Sequence, residues 1–218
     1  MAARTRSVTK SSAAAPDEIP NRIIVGISGA SGIIYGIRLL EVLRDVGIET
    51  HLVMSKSAEV TLAYETNLKV SVVKALANVV YSNTDIAAAI SSGSFKTRGM
   101  IVAPCSIRTV SEIATGVTSS LMARAADVVL KERRRLVLMV RESPLHTGHL
   151  RTLTQASEIG AIIAPPLPGF YAKPETIGEM IDHTVGRVLD LFNVEAGLVR
   201  RWGERTEKGS RPSGRKRS

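Results

Sequence analysis

Residues 23–32 read IIVGISGASG, and this stretch decides the fold. Its first five residues are apolar apart from a glycine and mostly β-branched, which predicts a buried strand that runs into a glycine- and serine-rich turn. Helical patterning follows as far as Gly47, and a second strand, THLVM, is predicted at 50–54. A strand, a turn, a helix and a strand in this order form a βαβ unit, which requires a parallel strand pair and a right-handed crossover.

The same alternation of strands and helices continues along the chain. Further strands are predicted at 99–103, 135–140 and 161–165, and further helices at 107–115, 119–133, 148–159 and 175–192. Apolar strands that alternate with helices are typical of parallel sheets covered on both faces. The predicted fold class is therefore α/β: a single doubly wound, mainly parallel sheet of Rossmann-like or flavodoxin-like type, with helices on both faces.

The net charge of +9 is concentrated at the two ends of the chain. Residues 1–22 hold four Lys or Arg against two acids, and residues 203–218 hold six against two. We therefore predict a single α/β domain at 22–203, flanked by disordered basic extensions at 1–21 and 204–218. Because the domain itself carries little excess charge, no nucleic-acid partner is expected.

Cysteine and histidine usage limits the chemistry further. A single cysteine, Cys105, excludes an internal disulfide, fits a reducing and cytoplasmic location, and is expected to be buried rather than nucleophilic. The four histidines lack metal-ligand spacing, so we expect no metal site. No apolar run has the length of a membrane span, so no membrane partner is expected.

Small, polar or charged residues follow each predicted strand, where parallel sheets bind their ligands. These segments are 28–32, Ser55, 104–106, 141–142 and 165–166. They should converge on one edge of the sheet and form one composite site. The helix after the first segment is expected to offer free backbone amides to an anion. Three-residue glycine spacing in the first segment differs from the G-x-G-x-x-G fingerprint, so an NAD-dependent oxidoreductase is only a weak alternative.

Three other features bear on the site, and the first two have two interpretations each. Ser106 and Thr109, at i and i+3 after a strand, can cap a helix or also hold a phosphate group. Arg124 and Lys131 share a helix face with Asp127, as in an ion-paired surface or a subunit contact. The pair Arg141-Glu142 ends an apolar strand and points a charge pair at the expected site.

Six segments, taken together and in order, resemble the UbiX flavin prenyltransferases, and within that family the branch that accompanies phenolic-acid decarboxylases. The segments are GASGIIYG, APCSIRTVSEIATG, RAADVVLKERRRLVL, RESPLHTGHL, PPLPGFYAKPETI and HTVGRVLD. The similarity extends from Arg22 to Glu204. Many family members carry a tryptophan in the loop before SGS, where this chain has Ile86.

The resemblance implies a reaction, a partner and an assembly. The protein would join a dimethylallyl group from dimethylallyl phosphate to reduced FMN, and whether the donor is the mono- or the diphosphate stays open. The product, prenylated FMN, would be the cofactor of a UbiD-type aromatic-acid decarboxylase. The resemblance also implies a homododecamer with its flavin site at a subunit junction.

The resemblance implies roles for individual residues as well. The implied FMN-binding residues are Gly29, Ala30, Ser31, Ser55, Ser106, Ile107, Arg108, Thr109 and Arg141. The residues implied to grip the phosphate of the prenyl donor are Tyr171, Arg187, Arg124 and Lys131. The implied catalytic residues are Ser31, near the reacting ring, Glu65 and Glu142, for proton handling, and Lys131, for the leaving phosphate.

Two alternative functions remain beside the prenyltransferase. The chain could be an FMN-binding accessory subunit of a phenolic-acid decarboxylase, without transferase activity. It could also be a flavin-dependent decarboxylase of a peptidyl or pantetheinyl cysteine. That class needs a catalytic histidine near the flavin, and none follows the first predicted helix.

Overall fold

The computed structural model describes residues 19–203, which contain one sheet of six parallel strands. In chain order these are β1 (Arg22–Ile27), β2 (Glu49–Met54), β3 (Val79–Ser82), β4 (Gly99–Cys105), β5 (Arg135–Val140) and β6 (Ala161–Ile163). Across the sheet they lie in the order β3-β2-β1-β4-β5-β6, so the winding reverses between β1 and β4. This doubly wound topology confirms the predicted fold class.

Seven helices lie within the described range. They are α1 (Ile33–Asp45), α2 (Lys56–Glu65), α3 (Val70–Lys74), α4 (Ile107–Thr115), α5 (Leu121–Lys131), α6 (Thr147–Glu158) and α7 (Ile177–Asp190). Two short 3-10 turns lie at Ala89–Ser91 and Phe170–Ala172. The predicted elements all occur, although α5 and α7 are shorter than predicted at both ends and β6 stops before the prolines. The predicted terminal extensions lie outside the described residues, apart from 19–21.

The sequence did not predict α2, α3 or β3, because this part of the chain buries few side chains. Helix α2 buries only Ala58 and Leu62, and α3 buries only Val73. Strand β3 lies at the edge of the sheet, and its residues alternate between partly buried and exposed. Weak apolar periodicity is therefore the local consequence of a position at the rim of the fold.

The sheet separates two hydrophobic cores. On one face, strand residues such as Ile23 and Ile101 pack with α1, α2 and α7. On the other face, residues such as Ile24 and Met100 pack with α4, α5 and α6. Cys105 lies fully buried in the second core, as expected, and burial raises the pKa of its thiol, so the thiol stays protonated. Helices α5 and α7 thus lie on opposite faces of the sheet.

Candidate active site at the carboxyl edge of the sheet

The loops that follow β1, β2 and β4 are tied to one another where these strands end. Ser28 is 1% exposed; its hydroxyl donates to the Pro104 carbonyl at 3.0 Å and accepts the Ser106 N–H at 2.7 Å. The Ser55 N–H donates to the Ile27 carbonyl at 3.0 Å. Because these bonds join neighbouring strand ends, the predicted convergence on one edge is confirmed for three of the five segments, 28–32, Ser55 and 104–106.

A cavity of about 320 Å³ opens between the ends of β2, β3 and β4. Its walls contain four of the residues implied to bind FMN, namely Ser55, Ser106, Arg108 and Thr109. The other lining residues are Lys56, Ser57, Asn83, Thr84, Glu112, Ser119, Ser120 and Met122. All of these lining residues except Met122 are of polar or charged type. The volume of the cavity is at the lower end of the range for small-molecule sites, roughly 300–1,000 Å³.

Three helices begin at this cavity, each capped by a serine. The hydroxyl oxygens of Ser55, Ser106 and Ser120 accept backbone N–H groups of α2, α4 and α5 at 3.1, 3.3 and 3.3 Å. Helix N-termini carry partial positive charge and free N–H groups. Lys56 and Arg108 also line the cavity, but they pair with Glu59 and Glu112 at 3.0 and 3.1 Å, so the helix N-termini supply most of its unpaired positive potential. The cavity can therefore hold an anionic group such as a phosphate.

Ser106 is a helix cap, so the capping interpretation of Ser106 and Thr109 is confirmed. Its hydroxyl also lies 3.0 Å from the Thr109 hydroxyl. Ile107 is the first residue of α4 and follows the cap directly. A capping role does not remove the remaining hydrogen-bonding capacity of the two hydroxyls, so a phosphate role for this pair stays a prediction.

The loop between β1 and α1 approaches α2 very closely. A Cβ atom at Gly29 would lie 2.3 Å from the Ser57 side chain, so only glycine fits there. Gly32 has φ +94°, a left-handed conformation that also favours glycine. Ala30 lies between them, and its N–H donates to the Ser28 carbonyl at 2.9 Å. Of the glycines in this loop, Gly29 is thus required by close packing against the cavity residue Ser57, and Gly32 by its backbone conformation.

The expectation that α1 offers free amides to an anion is wrong. The Gly32 N–H lies 2.9 Å from Glu65 Oε2 and 3.1 Å from Glu65 Oε1, and the Ile33 N–H donates to Oε2 at 2.9 Å. A carboxylate of the protein itself therefore occupies the N-terminus of α1. The reason is that α2, which the sequence did not predict, ends at Glu65 and brings the carboxylate there.

Glu65 also meets two other implied site residues. Its partial burial acts to raise the pKa of the carboxyl, but hydrogen bonds from the Ser31 hydroxyl and from the Ile33 and Gly32 amides outweigh this. The charge of Arg141 acts in the same direction, so the pKa of Glu65 lies below its ordinary value. Ser31, Glu65 and Arg141 are thus brought together, and the carboxylate is ionised at neutral pH.

Glu142 lies in the loop after β5, next to this group. The Arg141 N–H donates to the Cys105 carbonyl at 3.0 Å, which fixes the end of β5 beside the end of β4. The half-buried Glu142 carboxylate accepts the N–H of Ser143 at 3.0 Å. The predicted charge pair therefore ends its strand at the expected edge.

The residues implied to grip the donor phosphate are not brought together within one chain. Arg124 pairs with Asp127 at 2.7 Å on α5, as the ion-paired interpretation predicted, and Lys131 pairs with Glu132 at the end of that helix. Lys131 borders a separate groove of about 620 Å³ between α4, α5 and α6.

Tyr171 and Arg187 lie with α7, on the opposite face of the sheet from α5. The Tyr171 hydroxyl is 3.2 Å from Nε2 of His183, one helical turn before Arg187, and Arg187 pairs with Asp190 at 2.6 Å. Both side chains are about half exposed. The four donor-phosphate residues thus form two pairs separated by the sheet.

Asn83 is a cavity residue that sequence reasoning missed. Its backbone carbonyl accepts the Leu121 N–H at 2.9 Å, and its side-chain oxygen accepts the Met122 N–H at 3.0 Å, so it positions the start of α5. It follows β3, and a polar SNT triplet after the apolar VVY run was the available signal. Ile86, at the position of the family tryptophan, is 54% exposed in the same connection.

Two kinds of site are absent from residues 19–203. No three His, Cys, Asp or Glu side chains in this range are grouped as a metal site would require. None of the helices in the same range has the length and apolar character needed to cross a bilayer.

Comparisons with known proteins agree with this geometry. The sequence model of the Flavoprotein family matches residues 11–189. The flavin prenyltransferase UbiX of Escherichia coli strain K12 is 60% identical over 184 residues, covering 83% of this chain and 97% of the relative. That of Thauera aromatica is 54% identical over 187 residues, covering 86% and 96%. The chain belongs to the UbiX flavin prenyltransferase family.

Solved structures of UbiX proteins share the fold. AnUbiX (PadA1), crystallised with FMN and dimethylallyl pyrophosphate, matches with a TM-score of 0.84 and 49% identity over 86% of this chain and 100% of its own. A dodecameric FMN-dependent UbiX-like decarboxylase from Escherichia coli O157:H7 matches with a TM-score of 0.82 and 48% identity over 84% and 100%. The predicted family is confirmed, and flavin prenyltransferase is supported over the accessory subunit.

The cysteine-decarboxylase alternative receives no such support. The FMN-dependent cysteine decarboxylase TvaF is 17% identical with a TM-score of 0.54, a likeness that shows the fold alone. No histidine is among the residues that line the cavity at the ends of β2, β3 and β4. The UbiX assignment therefore stands on identity along nearly the whole described chain.

Proposed function

We propose that this protein transfers a dimethylallyl group from a dimethylallyl phosphate to reduced FMN bound at the carboxyl edge, in the cytoplasm. The prenylated FMN would then serve a UbiD-type aromatic-acid decarboxylase. The observation that carries the proposal is the cavity at which α2, α4 and α5 begin, next to the Gly29–Gly32 loop of a UbiX-family chain.

The residues of the cavity fit the phosphate and ribityl parts of FMN. Ser55, Ser106 and Thr109 supply hydroxyls, and Arg108 supplies a cation, beside helix N-termini that favour a phosphate group. Gly29, Ala30 and Ser31 would line the flavin ring, and Ile107 would contact it from the start of α4. Arg141 would complete the site from the end of β5. When bound, FMN supplies the ring nitrogen and the adjacent carbon that accept the prenyl group.

The donor phosphate would be held by two subunits. Arg124 and Lys131 lie on one face of the sheet, and Tyr171 and Arg187 lie on the other. Four such side chains can surround one phosphate only where neighbouring copies meet. The proposal therefore includes a homo-oligomer, and a dodecamer in analogy to the UbiX-like decarboxylase from Escherichia coli O157:H7. A neighbouring copy would also enclose the shallow cavity of the single chain.

The residue types fit the reaction. When the allylic carbon–oxygen bond breaks, the phosphate leaves with the electron pair, and cations such as Lys131 and Arg187 stabilise the charge that grows on it. Exclusion of water by the subunit junction would protect the electron-poor allyl group from hydrolysis. Ser31 and Glu142 would accept and pass on the proton that the alkylated ring carbon loses.

Mass spectrometry of the flavin tests the proposal. The protein is incubated anaerobically with reduced FMN and either dimethylallyl phosphate or dimethylallyl diphosphate. A flavin heavier by one prenyl unit is expected, and the donor that yields it identifies the natural substrate class. If FMN stays tightly bound but unmodified with both donors, the proposed transferase activity is wrong. The accessory-subunit function would then be favoured.

A further inference from the structure

Tyr171 is in contact with a buried histidine of the helix that follows it. The Tyr171 hydroxyl lies 3.2 Å from Nε2 of His183 in α7, and the two rings meet edge to face with their centroids 5.4 Å apart. His183 is only 7% exposed, whereas Tyr171 is 45% exposed. One end of this contact is therefore fixed inside the fold, and the other end reaches the surface.

The turn before α7 is shaped to allow this contact. A Cβ atom at Gly169 would lie 2.7 Å from Cε1 and 3.0 Å from Nδ1 of His183, so a larger residue there would displace the imidazole ring. The Ala172 N–H donates to the Gly169 carbonyl at 3.0 Å, which closes the short turn that carries Tyr171. The imidazole therefore has a fixed place against this turn.

The direction of the hydrogen bond between the two rings decides what Tyr171 can do. A phenol has one O–H donor, whereas a phosphate group offers acceptor oxygens. If Tyr171 donated to His183, its hydroxyl would have no proton left for a phosphate. If Nε2 of His183 donates, the phenol oxygen accepts that proton and its own O–H stays available. Hydrogen bonds in such a chain also polarise one another, which strengthens the outer one.

Arg187 lies close to this contact along the chain. It follows His183 by one helical turn in α7, and its side chain is about half exposed. Residues four apart are neighbours on a helix surface. The two residues implied to grip the donor phosphate from this face of the sheet are thus both connected to α7, Arg187 directly and Tyr171 through His183.

We propose that His183 is a positioning residue for the prenyl donor: its Nε2–H donates to the Tyr171 oxygen and so directs the Tyr171 O–H at the donor phosphate. The inference rests on the proposed function, in which Tyr171 and Arg187 hold that phosphate. His183 is buried and acts only through Tyr171.

Steady-state kinetics in a double-mutant cycle test this role. His183→Phe keeps an aromatic ring against Tyr171 but removes the donor. KM for the dimethylallyl donor should rise about tenfold, the effect of one weakened hydrogen bond to a charged group, with kcat within about twofold of the wild type. Tyr171→Phe should have the same effect, and the double variant should lose nothing further. Additive losses, or an unchanged KM in His183→Phe, would overturn the proposal.

A conservative variant and a control separate positioning from packing. In His183→Gln the side-chain amide can replace Nε2–H as the donor, so most of the wild-type KM should return. His51→Phe is the matched control, because His51 is 3% exposed and its Nδ1 lies 3.0 Å from the Tyr81 hydroxyl, in a pair that does not line the FMN cavity. Its KM should equal the wild type. An equal rise of KM in His183→Gln or in His51→Phe would reduce His183 to a packing role.

Magic-angle-spinning NMR of the wild-type protein examines the hydrogen bond without catalysis. In the full-length, FMN-bound protein with isotopically labelled histidine, the signal of His183 is the one that His183→Phe lacks. Nε2 of His183 should carry a proton, and an unprotonated Nε2 would mean that Tyr171 donates to it, contrary to the proposal.

Failure of this inference is distinct from failure of the proposed function. If the wild-type protein transfers no prenyl group, the proposed function is wrong, and so is the part of His183 in it. If transfer occurs and Nε2 is unprotonated, the proposed function stands and only the role given to His183 is wrong.

Discussion

The residues implied to bind FMN and those implied to bind the prenyl donor differ in how the fold positions them. Ser55, Ser106 and Thr109 follow strand ends and line one cavity within a single chain. Lys131 and Arg187 lie at the far ends of two helices on opposite faces of the sheet. A parallel sheet brings strand ends together by itself, whereas helices on opposite faces of the sheet can meet only through assembly. Under the proposed function, one half of the reaction would thus be built into the domain, and the other half would depend on neighbouring copies.

The largest expected effect falls on the half that depends on assembly. In Lys131→Met, loss of a cation at the leaving phosphate should lower kcat/KM by about 10²–10³-fold. FMN affinity should stay at the wild-type value, because Lys131 is far from the FMN cavity within its own chain. Steady-state kinetics and flavin fluorescence titration measure the two quantities.

Subunit mixing tests whether Lys131 and Arg187 of one site come from different copies of the chain. Arg187→Met should be equally impaired, yet oligomers reassembled from both variants should regain activity. Some junctions then combine an intact Lys131 from one copy with an intact Arg187 from another. Mixed oligomers without any recovery would show that both residues act within the same copy, contrary to the two-face arrangement.

The next largest effect is expected inside the domain, at Gly29. In Gly29→Ala the new methyl group would overlap the Ser57 side chain and push apart the first loop and α2. Overpacking of this kind costs about 1–3 kcal/mol of folding free energy, and FMN affinity should fall as well. Thermal unfolding with and without FMN measures both.

Gly178→Ala is the control for that substitution. Gly178 lies in the first turn of α7, and a Cβ atom added there would lie 3.7 Å from its nearest neighbour, the Thr176 hydroxyl, so alanine fits. The stability of this variant should be equal to or slightly above the wild type, because alanine favours a helix more than glycine does. An equal loss in both variants would show that Gly29 has no special packing role.

A smaller effect is expected where one hydroxyl both caps a helix and faces the cavity. Ser106→Ala should lower stability by about 0.5–2 kcal/mol through the lost cap. It should also weaken FMN binding by about tenfold, since a hydrogen bond to a charged phosphate is lost. Thr176→Ala is the matched control, because Thr176 caps α7 away from the cavity. If both variants bind FMN equally, Ser106 is a cap only.

The sequence predicted most of this arrangement, and its failures have one physical origin. Apolar runs revealed β1, β2, β4 and β5, and hence placed Ser55, Ser106 and Arg141 at one edge of the sheet. The segment 56–98 buries few side chains, so α2 and β3 were missed, together with Asn83 and the contact between Glu65 and α1. No local pattern could show that an acid at the end of α2 reaches the amides of Gly32 and Ile33. The separation of Lys131 from Arg187 likewise depends on which face each helix covers.

The smallest expected effect is the pH dependence of stability that Glu65 contributes. Because its pKa in the folded protein lies below the ordinary value of 4.5, the ionised carboxylate stabilises the fold above that pH. This contribution is lost as the pH falls through the lowered pKa, where the folded protein must also take up the proton. Wild type should therefore melt at a higher temperature than Glu65→Gln at pH 7, and the difference should shrink as the pH falls below 4.5. A difference that stays constant over this range would mean that the charge of Glu65 does not contribute, and that only the shape of the side chain stabilises its contact with Gly32 and Ile33.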